Sequence, residues 1–218
     1  MQRRNLLKSM AAVIIAERLT SLQSAWAAGA KLAPPGFYKI KGEVKLNGQP
    51  AREGMLVKAG DTVTTGPDSE AIYVIGQDAY LQRDNSVVAV AGDILKNGLR
   101  ILSGKLLTVF GKGNKRIETS TATIGIRGTG CYIESTADEV YFCLCYGTAD
   151  IASIADEKHQ KTIETRHHDM PVYLTAGGQQ LILPAPMLNH TDHELIMLES
   201  LVGRLPPFVG IPGYNGNY

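Results

Sequence analysis

A mainly β fold, an antiparallel sandwich or roll of many short strands plus one short C-terminal helix, is predicted by three observations. Short β-favouring runs alternate with turn residues from Phe37 to Ile154, no helical period interrupts them, and a capped segment with an apolar stripe follows near residue 192. The expected strands are Glu43 to Leu46, Asp61 to Thr64, Ala71 to Ile75, Ser86 to Val90, Leu99 to Leu102, Lys105 to Phe110, Arg116 to Thr119, Thr123 to Ile126, Cys131 to Ser135, Val140 to Tyr146 and Ala149 to Ile154. Between them Asn47-Gly48, Gly66-Pro67-Asp68-Ser69, Gly76-Gln77-Asp78, Asn97-Gly98, Ser103-Gly104 and Gly111 to Asn114 supply the backbone geometry that a reversal requires. Strands recurring about every 8–12 residues leave sandwich, barrel and roll open. The helix is expected at about 192–202: Thr191 and Glu194 form a capping box, Leu195, Leu198, Leu201 and Val202 form the stripe, and Gly203 ends it.

Composition bounds the rest. The chain has 218 residues, 44% of them hydrophobic, with 22 basic against 21 acidic side chains. That fits one globular domain with a modest appendage and excludes disorder, collagen and coiled coil. A nucleic-acid reader carries a strongly basic stripe, which near-neutrality argues against. Apart from the leader, no apolar run approaches the roughly 18 residues of a membrane span.

Residues 1–30 read as an export address, with a basic start, a short apolar middle and small residues before a cut after Ala27 or Ala30. Arg3 and Arg4, followed by Leu6, Leu7 and Lys8, have the form of a twin-arginine signal, which places the protein in the periplasm. Either cut removes Trp26 and leaves 18 basic and 20 acidic residues, a net charge of −2.

Three further motifs carry a family resemblance. Gly42 to Gly48 with Val57 to Ser69, which includes Gly60 and Asp61, comes first; Thr121 to Gly130, with Arg127-Gly128-Thr129 at its heart, is the second; Tyr146-Gly147-Thr-Ala-Asp-Ile151 is the third. In order and spacing they resemble the FecR domain family, the periplasmic part of ferric-citrate regulators, over roughly Gly42 to Ala155. The resemblance implies an exported, non-catalytic β domain over about 36–155, and leaves 156–218 as an extension with the helix and a Pro/Gly-rich tail. Family regulators carry a spanning helix, whereas this chain shows only an export signal. The resemblance therefore implies a binding or sensory module that recognises a protein or small ligand, with another periplasmic or membrane protein as its partner.

Other readings of the glycines fail on order. Gly125-Ile-Arg-Gly128-Thr-Gly130 is G-x-x-G-x-G, not a dinucleotide fingerprint, and no helix follows to receive phosphates; a tight strand connection is expected. Arg127 is expected to meet a carboxylate or carbonyl, or an anion if exposed. Lys112, Lys115 and Arg116 lack the ending of a phosphate loop and read as a solvated hairpin tip. No nucleophile-and-base arrangement stands out, so no enzyme is predicted.

The cysteines carry the second functional reading, a metal-binding or thiol-redox protein using Cys131, Cys143 and Cys145. Cys143 and Cys145 share a strand face at a Cα spacing of roughly 6.5–7 Å, which is stretched for a mutual disulfide. Cys131 joins them if the hairpin loop has three residues, Thr136 to Asp138, and faces away if it has two. Such a thiol pocket suits a soft metal, Cu(I) or Zn(II), with His167 or His168 as further ligands. Those two histidines, as neighbours on an extended strand, are expected to face apart. His159, His190 and His193 are expected in structural or surface roles. Leu205, Phe208 and Ile211 in the tail are expected to dock on the β domain or to serve as a partner strand.

Overall fold

The computed structural model describes residues 32–91, 98–156, 158–178, 180–211 and 214. The export segment, with Arg3, Arg4, Trp26 and both cleavage sites, lies outside the described residues. No described helix is long and apolar enough to cross a membrane.

The described strands are β1 (Gly36–Lys41), β2 (Val44–Leu46), β3 (Gln49–Pro50), β4 (Thr62–Thr65), β5 (Glu70–Ile75), β6 (Asp78–Gln82), β7 (Ser86–Val90), β8 (Gly98–Val109), β9 (Asn114–Glu118), β10 (Ala122–Ser135), β11 (Glu139–Ser153), β12 (Gln160–Thr165), β13 (Val172–Thr175) and β14 (Ile182–Pro184). They form one branched sheet, antiparallel throughout except where β8 runs parallel to β9. The mainly β prediction with one C-terminal helix holds. Strands β12 to β14 lie beyond residue 155, where the sequence marked an extension, yet they pair onto β11 or onto one another in the same sheet.

Three pairs of expected short strands are instead single long ones, β8, β10 and β11, of 12, 14 and 15 residues. The reason lies at their glycines, which bulge a strand rather than end it. The first half of β10 pairs with β9 and its second half with β8, with the register breaking between Arg127 and Gly130. Across the ladder β11 pairs with β13 through its first half and with β12 through its second. The expected tight connection at Gly125 to Gly130 is thus a bulge inside β10, where the strand passes from one set of neighbours to another.

Gly147 sits opposite that bulge with φ +99°, and a Cβ there would come within 2.4 Å of Thr129 Cγ2. The second and third sequence motifs therefore interlock. Gly147→Ala combines left-handed strain with overpacking and is expected to cost about 2–4 kcal/mol, seen as a lower denaturation midpoint with an unchanged slope. A midpoint within experimental error of wild type would show that the corner is not set by this contact.

The two faces of the sheet bury separate cores. One encloses Phe37, Tyr73, Ile101, Leu106, Ile124, Ile133, Phe142 and Leu144. The other, carrying Val74, Leu81, Leu107, Tyr132, Tyr141, Cys143 and Cys145, is covered by helix α1 (Asp192–Leu201) through Leu195, Leu198 and Leu201, and by Phe208 from the tail. Both halves of the predicted capping box are present at Thr191 and Glu194. Arg83, just after β6, donates to Glu194 at 2.7 Å, and Tyr146 on β11 donates to Glu199, so each end of α1 is held by a polar contact. The basic tip is less solvated than expected: Lys115 is partly buried in an ion pair with Asp78 at 2.8 Å, and Gly111 N donates to the same carboxylate.

Candidate functional site

The β10–β11 hairpin decides which thiols meet. Ser135 pairs with Val140, and Thr136 N donates to Glu139 O, which leaves Ala137-Asp138 as a two-residue loop. Cys131 then lies opposite Leu144 in the first core, while Cys143 and Cys145 point to the other face with Tyr132. The loop is the two-residue alternative, so Cys131 faces away and does not join the other two thiols. Burial pushes its thiol up, as for a small hydrophobe.

Cys143 and Cys145 are fully buried beneath the start of α1. The Cys143 thiol is held well below its ordinary range, chiefly by hydrogen bonding from Cys145 and then, against its burial, by His168 and His190. Burial and the Cys143 charge push Cys145 the other way.

The histidine pair is placed by a turn, not by a strand. After β12 the backbone N–H groups of Arg166 and His167 donate to Asp169 Oδ2, and His168 adopts φ +54°. In place of the opposed directions expected of an extended strand, both rings reach one carboxylate. His167 Nε2 lies 3.0 Å from each oxygen of Asp192, and His168 Nε2 lies 3.1 Å from Oδ1. Asp192 is the first residue of α1 and is fully buried. His167 thus belongs to the carboxylate side of the cluster, whereas the other nitrogen of His168, Nδ1, faces Cys143 Sγ at 3.4 Å. Burial alone would lower the affinity of His168 for a proton, but Cys143 and Asp192 outweigh it and raise it.

His190 completes the group, although its sequence position beside a helix cap gave no sign of this. Its Nε2 lies 3.1 Å from His168 Nδ1, its Nδ1 lies 2.6 Å from Leu188 O, and its ring stacks on Tyr132 with centroids 4.7 Å apart. One donor atom from each of Cys143, Cys145, His168 and His190 falls within 4.8 Å of the others, and all four residues are buried. His159 and His193 are exposed and supply no donor to this group, in keeping with surface roles.

The residues of the FecR-like motifs do other work. Gly60, at φ +90°, and Asp61 shape the turn before β4, with Asp61 accepting from Lys58 N at 2.8 Å and from Asn47 Nδ2 at 2.7 Å. Gly128 (φ +56°), buried Thr129 and Gly147 build the corner described above. Arg127 is exposed and pairs with Asp150 at 2.9 Å.

No family model matches the chain, and no curated protein matches it. Among solved structures, two crystal structures of "a putative anti-sigma factor from Parabacteroides distasonis ATCC 8503", at 1.65 and 2.50 Å resolution, are similar to it in part. Each aligns with a TM-score of 0.48 at 6% identity, over 57% of this chain and 58% of the other, so the chain spans less than two thirds of that protein's length.

Proposed function

We propose that the protein is an exported, periplasmic regulatory module of FecR type that acts by binding a protein partner and catalyses no reaction. The observation that carries this reading is the interlocking of the second and third motifs, Thr129 against Gly147, at the corner of the sheet. Residues about twenty positions apart that resemble one family in sequence also meet in space, which supports a shared architecture over a chance match. Fold and motif supply the class, and the partner is sought on the surface.

Two surface features suit a partner. Tyr38, Met55 and Leu56 are exposed apolar side chains on segments joined by the hydrogen bond from Phe37 N to Met55 O. Arg127 stands at the corner with its side chain 65% exposed. An exposed pair such as Arg127 with Asp150 contributes at most about 0.5–1 kcal/mol, so Arg127→Ala is expected to leave stability almost unchanged. A photoreactive residue at Tyr38 or at Arg127, introduced into the full chain in exporting cells, is expected to trap a discrete adduct. Recovery of the chain in the cytoplasm, or the absence of an adduct at both positions, would overturn the reading. A metal ion is the second candidate ligand, favoured by the convergence of two thiols and two imidazoles beneath α1.

A further inference from the structure

We propose that Cys143, Cys145, His168 and His190 form a closed, four-coordinate centre for one Zn(II)-class ion, which fastens the start of α1 to the sheet. This goes beyond a protein-binding role and does not depend on it.

The argument begins with the hydrogens on the two imidazoles. His190 Nδ1 faces the carbonyl of Leu188, and His168 Nε2 faces the carboxylate of Asp192; both partners can only accept. Each ring therefore spends its N–H outward. As neutral imidazoles, the two inward nitrogens, His168 Nδ1 and His190 Nε2, turn lone pairs toward each other across 3.1 Å. Cys143 Sγ stands 3.4 Å from the first of them, and Cys145 Sγ shares its strand face. Two lone pairs meeting in a buried space require a hydrogen or a cation between them: a thiol hydrogen, an added proton or a metal ion.

The spacing favours the ion. A tetrahedral centre with Zn–S of about 2.3 Å and Zn–N of about 2.0–2.1 Å puts neighbouring donors roughly 3.3–3.8 Å apart. The 3.4 Å between sulfur and nitrogen lies within that range, the 3.1 Å between nitrogens falls just short of it, and all four donors fit within 4.8 Å. Thiolates alone would suit Cu(I) as well, but two imidazoles completing a set of four select Zn(II). Four protein ligands leave no position open for substrate, which makes the centre structural.

The surroundings match the needs of such a centre. Metal-bound imidazoles are oriented by an acceptor on their other nitrogen, here Asp192 for His168 and the Leu188 carbonyl for His190. Binding would release to solvent every proton held on the two thiols and the inward nitrogens, leaving two thiolates, one dication and two neutral rings, a set with no net charge to bury. The ligands come from three segments, β11, the turn after β12 and the loop before α1, so the ion would join elements that are distant in sequence.

The test is metal analysis of the full chain purified with its thiols reduced, followed by anaerobic titration with Zn(II) and Co(II). One equivalent of ion per chain is expected, with Co(II) giving the visible bands of a tetrahedral site and thiolate charge transfer. Cys131→Ser is expected to retain that stoichiometry and spectrum, whereas Cys143→Ser and His190→Gln are expected to weaken binding at least 100-fold. Folding of each variant is checked by circular dichroism, and the wild-type stoichiometry stands as a result whether or not a variant folds. A wild-type chain that takes up no stoichiometric ion, or binding that requires Cys131 or survives loss of Cys143, overturns the centre. So does tight Cu(I) binding that His190→Gln leaves unchanged, since the imidazoles would then not be ligands.

Discussion

Asp192→Ala is expected to lower the melting temperature by about 10 °C or more. The carboxylate has no exposed surface and receives His167 at 3.0 Å and His168 at 3.1 Å, so its removal takes away the acceptor that the two imidazoles share. Removing one member of such a buried pair costs about 3–5 kcal/mol, and in a chain of this size each kcal/mol shifts the midpoint by about 2–4 °C. The residue also opens α1, where a negative charge adds a smaller favourable term with the helix N-terminus. If Asp192 does no more than seat the helix, Asp192→Asn should recover much of the loss and leave ion binding unaltered. As a positioning residue for His168 it is expected to do otherwise: Asn lacks the negative charge and puts an N–H2 donor in place of the second oxygen that faces His167, and ion affinity should fall by about 10–100-fold even if the chain stays folded. Equal Co(II) affinity in wild type and Asp192→Asn would show that Asp192 does not position a ligand.

How far this arrangement can be read from sequence differs by element. The alternation of apolar and turn residues marks most strands, and Thr191 with Glu194 marks the helix to within a residue, because these signals are local. Gly104, Gly128 and Gly147 read as ends of strands, since positive φ serves a turn and a bulge equally and only the pairing partner distinguishes them. The cluster was half legible. Cys143-Leu-Cys145 announces two thiols on one face, and the pair His167-His168 invites attention, but the parity that removes Cys131 depends on one residue of loop length. His190 and Asp192 read as neighbours of a cap because their second role arises only when α1 docks over β11. That docking is written in long-range burial, Leu195 and Leu198 against Leu107 and Cys143, and leaves no mark at the histidine itself.

The same docking makes the tail testable. Phe208→Ala is expected to destabilise the protein by about 3–5 kcal/mol, while Leu205→Ala and Ile211→Ala change stability by no more than about 0.5 kcal/mol. The three residues look alike in sequence, as apolar members of a Pro/Gly-rich stretch that was expected either to dock or to serve as a partner strand. In the fold they separate. Phe208 is fully buried, with its ring 5.8 Å from that of Tyr146, 4.6 Å from His167 and 5.3 Å from Tyr214, whereas Leu205 and Ile211 remain 46% and 39% exposed. Arg204 holds the chain just before it by donating to Glu199 Oε2 and, at 2.7 Å, to Gln77 O, so the aromatic ring enters at a fixed point. Truncating the ring opens a cavity against residues fixed on several sides, and such sites relax least. It would also loosen His167, which contacts both that ring and Asp192, so accessibility of the Cys143 and Cys145 thiols to a maleimide should rise in Phe208→Ala. A tail that acts as a free partner strand gives the opposite pattern: Phe208→Ala leaves the denaturation midpoint and thiol accessibility unchanged, and substitutions at Leu205 and Ile211 matter only when a partner is present.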